Sequence, residues 1–458
     1  FVPLVLWGVW ATLHRPRLAN VLGLAFAYAA LMFTSPLVTL LLTLILVFYI
    51  AALALARVND KQPFRKLTRE SLLPLLGHLG NVMLPTAVGL ILGVCLSAVF
   101  ALPAMTENRF VRVDQWYGGR YAWGSDFVEF FQLFSPRWGF GASVPGPDDN
   151  VSFQLGAVPV VLSLFALIPL FSKRARAGLK RPALRLIIFF AALTAVVVFL
   201  MLGVSALLWE YLPLAQLAQF PWRLLTLSVV SMAFLCGAAA IGARPARGLV
   251  DTSTLILVAL LILGSLPYVK AELSEQEVSI ANLMRFQQSA DEMTGSTAWV
   301  QEIPTWSSMA DYHIAGEPVT SKVNYGFLYA QPGDQHARTL ELGVNHELIE
   351  YLSEEPIEIS FDTFYYPGWR AYLLDQETND VIEELPITQR GELGLMTVRV
   401  PEGLGRVLLQ FEDTPVRKLG TAVTFGSLAL VLILALAGFA LKISKPRQMP
   451  RQRWEDPA

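Results

Sequence analysis

Apolar residues are gathered into nine runs, and the polar residues lie almost wholly between them. The runs cover roughly residues 1–12, 18–33, 36–56, 82–102, 155–172, 186–209, 223–241, 252–269 and 418–441. A helix crosses a bilayer with about 20 mostly apolar residues, so the pattern predicts a bundle of about nine transmembrane helices. Only Thr34-Ser35-Pro36 separates the second run from the third, as a tight turn or as a break at membrane depth. The first run begins in mid-pattern at Phe1, and the chain is expected to be the C-terminal part of a longer protein.

Between residues 270 and 417 the pattern changes. Glu272–Met293 carries Ile280, Leu283, Met284 and Phe286 at helical spacing and predicts an amphipathic helix. Thr339–Val344, Pro356–Phe364, Trp369–Leu374, Met396–Val400 and Arg406–Phe411 then alternate as strands do. Bounded by Gly, Pro and Asn, they predict a small antiparallel β-sandwich. The expected fold is a membrane all-α bundle over 1–269, with an outer loop at 103–154, followed by an extracytoplasmic α+β domain over 270–417. A final transmembrane helix over 418–441 and a basic cytoplasmic tail over 442–458 complete it.

Composition agrees with the pattern. The chain is 54% hydrophobic and 16% charged, against roughly 25% charged for a soluble domain. A net charge of −2 implies no nucleic-acid partner. Cys95 and Cys236 lie inside apolar runs and read as small hydrophobes, without a disulfide framework.

Charge sets the orientation. Arg15 and Arg17, then Arg57 to Arg69, Lys173 to Arg185, Arg244 and Arg247, and the tail from Lys442 make every second loop basic. The positive-inside rule places those loops in the cytoplasm. Residues 103–154, 210–222 and 270–417 then lie outside, in a multi-pass protein of the inner (plasma) membrane.

The candidate chemistry is in the outer segments. The inverting transfer of a group from an activated donor needs a carboxylate base and a cation on the leaving phosphate. Asp114, Asp126 and Glu129 share loop 103–154 with Glu107, Arg109, Arg112, Arg137 and Trp138. The same residues also suit a solvated loop of mixed charge. The stretch Asp126 to Phe134 has helical spacing and can lie flat in the interface. Gln219-Phe220-Pro221-Trp222-Arg223 begins a run with a proline, exposed backbone N–H groups and a fixed cation, which together favour an anion. Trp222 and Arg223 equally suit an interfacial anchor. Tyr365-Tyr366-Pro367-Gly368-Trp369 offers rings that can stack on a sugar or fill the sandwich core. The five histidines are scattered without metal-ligand spacing, so no metal site is expected.

Gln219-Phe220-Pro221-Trp222-Arg223-Leu224-Leu225 resembles a stretch of large bacterial membrane proteins. These form the 6-pyruvoyl-tetrahydropterin synthase-related membrane domain group. They are similar to YfhO-like proteins and to the wider GT-C class of glycosyltransferases. Stretches at 102–107, 132–139, 152–156, 295–304 and 365–369 agree with the resemblance and occur in the expected order. The resemblance implies a polyprenyl-phosphate-sugar donor and an active site on the outer face. It also implies a catalytic Asp in a first outer loop that lies before this chain.

The expected function is transfer of a sugar from that lipid-linked donor to a cell-surface glycan, lipid or protein. Arg223, with Trp222 and Gln219, would hold the donor phosphate, and a divalent metal is compatible with it. A transporter or flippase for lipid-linked glycans is the alternative, but it calls for charges within the spans, where almost none occur. A surface scaffold that uses the sandwich as a binding module is a third.

Overall fold

The structure, a computed structural model, describes residues 1–61, 69–113, 122–135, 151–177, 179–211, 218–242, 252–266, 269, 278–287, 296–302 and 307–443. They fall into two units, one of Phe1–Leu102, Lys180–Phe189 and Leu419–Ala458, the other of Pro103–Leu179 and Phe190–Lys418. Among the described residues, five helical spans are long and apolar enough to cross a membrane: Pro36–Arg57, Leu79–Leu96, Arg181–Met201, Pro221–Ala239 and Pro415–Ala440. The apolar helices Val2–His14, Leu18–Thr34, Ala157–Phe171 and Thr254–Ser265 are shorter.

In the first unit Val2–His14, Leu18–Thr34, Pro36–Lys61 and Arg69–Leu96 follow one another. Ser35 is the single residue between the second and third, and its hydroxyl caps the next helix by accepting from Val38 N at 3.3 Å. Leu18–Thr34 packs on Arg69–Leu96 through Gly89 and Gly93. A Cβ on Gly93 would stand 2.9 Å from the Ala25 carbonyl oxygen, and one on Gly89 3.1 Å from Leu24. Two glycines four residues apart form the small-residue seam that lets apolar helices approach closely. Leu22, Ala25, Ala29, Leu96 and Val431 fill the space beside it. Hydroxyl pairs cross between helices at Thr12 and Thr86, 2.8 Å apart, and at Tyr28 and Thr43, 2.7 Å apart.

The run expected over 82–102 is broken. Arg69–Leu96 ends, Ser97 intervenes, and Ala98–Thr106 begins. A break at apolar depth leaves backbone donors that need partners. Val99 N donates to Thr424 Oγ1 at 2.9 Å, and Ser97 Oγ donates to the Gly93 carbonyl at 3.1 Å. Gly420 makes room for this crossing, since a Cβ there would meet the Ala98 carbonyl oxygen at 2.6 Å.

The second unit holds the helices Ala157–Phe165, Leu225–Gly242 and Thr252–Ser265 and the part of Arg181–Met201 from Phe190 onward. Phe190 stacks on Phe234 at 4.2 Å, and the Thr194 and Ser231 hydroxyls are 2.7 Å apart. The stretch 126–134 does not form the continuous helix expected of it. Val128 pairs with Leu202 in a parallel bridge, so its backbone is extended. A separate turn of 3-10 helix, Phe130–Leu133, then starts under a capping box of Glu129 and Gln132. Phe130, Phe131 and Phe134 remain exposed.

Among the described residues, eight antiparallel strands form two sheets: β1 Gln335–Leu342, β2 His346–Ser353, β3 Ile357–Phe364, β4 Trp369–Leu374, β5 Val381–Leu385, β6 Ile387–Arg390, β7 Leu395–Val400 and β8 Gly403–Phe411. The orders are β1-β2-β8-β4-β5 and β3-β7-β6. Alternate residues turn inward, as the pleat requires. Ile349, Tyr351, Val407 and Leu409 come from the larger sheet, and Ile357, Ile359, Phe361, Met396 and Val398 from the smaller, all within one buried cluster. Tyr365 and Trp369 are partly buried against it. Gly405 lies under Tyr351, where a Cβ would meet the ring at 2.6 Å. Of the amphipathic helix expected over 272–293, Ile280–Gln287 is helical, and 270–277 and 288–295 lie outside the described residues.

Candidate functional site

Three helices of the second unit leave a slot between them. It is ≈ 380 Å³ in volume and is lined by Leu162, Val229, Met232, Ala233, Gly237 and Val258, among others. A second cavity of ≈ 350 Å³ adjoins it and adds Gln154, Gly156 and Ser265. Leu155, Pro159 and Leu261 line both, so the two share walls. An apolar slot thus stands beside a more polar pocket, which forms its mouth in the reading proposed below. Gly156 makes the mouth possible by turning the chain into the helix at φ +81, where a side chain would be strained. Leu155 N fixes the approach by donating to the Leu133 carbonyl at 2.9 Å. Among the described residues, no carboxylate lines either cavity.

An aromatic stack runs from Phe153, the residue before the lining Gln154, to Arg223. Phe153 lies on Trp222 at 5.7 Å, and Trp222 lies on Phe220 at 5.4 Å. The Arg223 guanidinium sits 4.9 Å from the Phe220 ring centre, within range of a cation–π contact. Its Nη1 donates to Gln219 Oε1 and, at 3.4 Å, to the Ala218 carbonyl. Gln219 takes a left-handed backbone, φ 59, which a non-glycine residue adopts only where its surroundings hold it. Pro221 opens a 3-10 turn, Pro221–Leu224, and the regular helix starts at Leu225. Gln219, Trp222 and Arg223 are thus brought together. Arg223 itself is not among the lining residues of the two cavities.

The outer-loop candidates are dispersed. Asp126 is buried at 2% exposure, near Trp123, Phe127 and Trp209, whose rings pack at 5.9 and 6.0 Å. Glu129 is exposed and caps the Phe130–Leu133 turn. Arg109 is exposed, its guanidinium 4.8 Å from the Phe110 ring. Asp114, Arg137 and Trp138 lie outside the described residues.

Glu107 is held in a buried polar centre. Its carboxylate accepts from Tyr366 OH at 2.9 Å, from Arg417 Nε at 3.1 Å and from the Thr414 hydroxyl. Burial pushes the Glu107 carboxyl up, but those three hydrogen bonds and the Arg417 charge outweigh it and hold its pKa below the usual value. Rings surround the centre. Phe110 meets Tyr366 edge-on at 6.0 Å and stacks on Trp299 at 6.0 Å, and Trp299 meets Tyr365 at 4.7 Å. A bridge from Val111 to Thr297 ties the two chain segments together. Gly394 is confined by this packing, since a Cβ there would lie 2.7 Å from the Trp299 carbonyl oxygen. Sequence reasoning named Glu107 and Tyr366 but missed Arg417 and Thr414. The signal was present: Arg417 stands at the start of the last apolar run, on the end expected to face outward, where the positive-inside rule gives no reason for a cation.

Among the described residues, no group of three or more His, Cys, Asp or Glu side chains is placed to hold a metal ion. Five membrane-length apolar helices and a separate antiparallel sheet region define a helical membrane protein with a β domain. No family model, no curated protein and no solved structure matches the chain.

Proposed function

We propose that the protein takes a sugar from a polyprenyl-phosphate carrier and passes it to a cell-envelope acceptor. The observation that carries this reading is the apolar slot with a polar mouth. An isoprenoid chain suits a channel of Leu, Val, Met and Ala side chains, and its phosphate suits the wetter end. Arg223 supports the phosphate role from one aromatic stack away, because both of its hydrogen bonds use Nη1. Nε and Nη2 remain as donors for a bidentate anion contact. In this reading the four shorter apolar helices also span, giving about nine crossings of the inner membrane, and 103–154 and 270–417 face outward.

The acceptor hydroxyl oxygen attacks the anomeric carbon, the bond to the phosphate oxygen breaks, and the phosphate leaves with that electron pair. A carboxylate takes the hydroxyl proton. Asp114, Asp126 and Glu129 remain the candidates for it. Glu107 is a positioning group, since Tyr366, Thr414 and Arg417 occupy its oxygens.

The test uses the full chain and a polyprenyl phosphate carrying a diazirine on its chain. Wild-type protein labels on the helix Leu225–Gly242. Gly237→Phe puts a ring at the wall of the slot, where a Cβ meets nothing within 4 Å, and it abolishes the labelling. Gly426→Phe, also in open space, leaves it intact. Undiminished labelling of Gly237→Phe would remove the carrier from the slot. Arg223→Lys weakens labelling about tenfold, because an ammonium does not reproduce the guanidinium fork. Equal labelling would return Arg223 to the role of an interfacial anchor.

A further inference from the structure

A cavity of ≈ 220 Å³ lies wholly within the first unit, apart from the slot described above. It is lined by Trp10, His14, Tyr49, Arg57, Arg185 and Phe189, with Leu53 and Leu186 between them. Three helices contribute: the C-terminal end of Val2–His14, the later turns of Pro36–Lys61 and the first turns of Arg181–Met201. Each brings one basic side chain and at least one aromatic ring to the same space. Among the described residues, no carboxylate lines it. Two of the basic side chains are placed by the backbone around them. Arg185 Nη1 donates to the Ala56 carbonyl at 3.2 Å. His14 Nδ1 is 2.9 Å from the Trp10 carbonyl oxygen, and its ring stacks on Trp10 at 4.7 Å. Tyr49 and Phe189, 5.2 Å apart, form the apolar wall.

We infer that this cavity binds an anionic phospholipid, with the phosphate between Arg57, Arg185 and His14 and the start of one acyl chain against Tyr49, Leu53 and Phe189. Charge complementarity selects the head. Cations near a membrane surface attract anionic lipid, each contributing a similar increment. The aromatic and aliphatic wall selects a lipid over a free anion, because a small ion leaves that wall uncovered. The helix ends that meet here are those beside the basic segments at 15–17, 57–69 and 173–185, so the lipid belongs to the leaflet those segments face. This inference does not depend on the carrier slot.

Trp10 lines the cavity and reports on it. The full chain in detergent micelles is titrated with phosphatidylglycerol or phosphatidylcholine whose acyl chains carry bromine, and Trp10→Phe gives the Trp10 component by difference. Brominated phosphatidylglycerol quenches that component at the lower mole fraction. Arg57→Gln and Arg185→Gln each raise the half-quenching mole fraction about fivefold. Arg57→Gln alone suffices if Arg185→Gln does not fold. Equal quenching by the two lipids would show that the groove reads chains without charge and overturn the proposal. Relief of the quenching by inorganic phosphate would make a free anion the ligand and overturn it as well.

Discussion

Arg417 Nε donates to the Glu107 carboxylate at 3.1 Å, joining residues 310 positions apart. Glu107 is 5% exposed there, and its folded pKa is depressed. Such a group stabilises the fold fully above its unfolded pKa, near 4.3 for a glutamate. The contribution is lost as pH falls through the lower folded value. As pH falls below about 4.3, the wild-type melting temperature should fall more steeply than that of Glu107→Gln. Parallel curves for the two proteins would deny the linkage. Arg417→Ala at neutral pH strands a buried carboxylate and should cost about 3 kcal/mol.

The glycine seam gives a second expectation. Gly93→Leu forces a side chain into the Ala25 backbone and Tyr28, and overpacking of this kind costs about 1–3 kcal/mol. Gly23→Leu enters open space and should leave thermal unfolding in micelles unchanged. Equal melting of the two variants would mean that the helices do not approach as described.

The sandwich core is tested by a pair of truncations. Phe361 is fully buried, so Phe361→Ala should cost about 3–5 kcal/mol. Trp369 is only partly buried, with Phe411 against it at 5.4 Å and the Lys322 amine 5.7 Å from its ring. Trp369→Ala should therefore destabilise less than Phe361→Ala. An unchanged unfolding midpoint for Trp369→Ala would instead favour a ring held for a ligand.

Sidedness has its own readout. With Cys95 and Cys236 replaced by Ala, a membrane-impermeant thiol reagent applied from outside should label Thr320→Cys and leave Gly178→Cys unlabelled. Labelling of both from one side would end the orientation proposed above.

Much of the β unit is legible because its pattern is local. Trp369–Leu374 was read with its observed ends, and Ile357–Phe364 within one residue. β2 was missed for a physical reason. Its inward positions begin with Glu347, which is buried at 1% exposure and accepts from Thr339 Oγ1 at 2.7 Å and Ser321 Oγ at 2.9 Å. Its outward positions include the exposed Leu352. A buried acid and an exposed leucine erase the alternation that marks a strand. β5 is an edge strand whose first four residues are all exposed, so it carries no such signal. The break at Ser97 is equally silent, because a helix and its continuation share one apolar run. The aromatic part of the site was partly legible, since Trp222 lies in a stretch singled out by its chemistry and Phe153 in one singled out by the resemblance. The slot could not, because its walls come from helices distant in sequence and only packing shows that they leave a space.

The bond from Val99 N to Thr424 Oγ1 also has a place in time, because its partners are 325 residues apart. At about 5–20 residues per second, synthesis brings Thr424 into existence tens of seconds after Val99. Through that interval the open donor at Ser97–Val99 has no final acceptor. The nascent chain must shelter it with water or with the insertion machinery until the last helix arrives. A truncation before residue 424 would leave that shelter permanent, and quality control would meet the early helices with their break still unsealed.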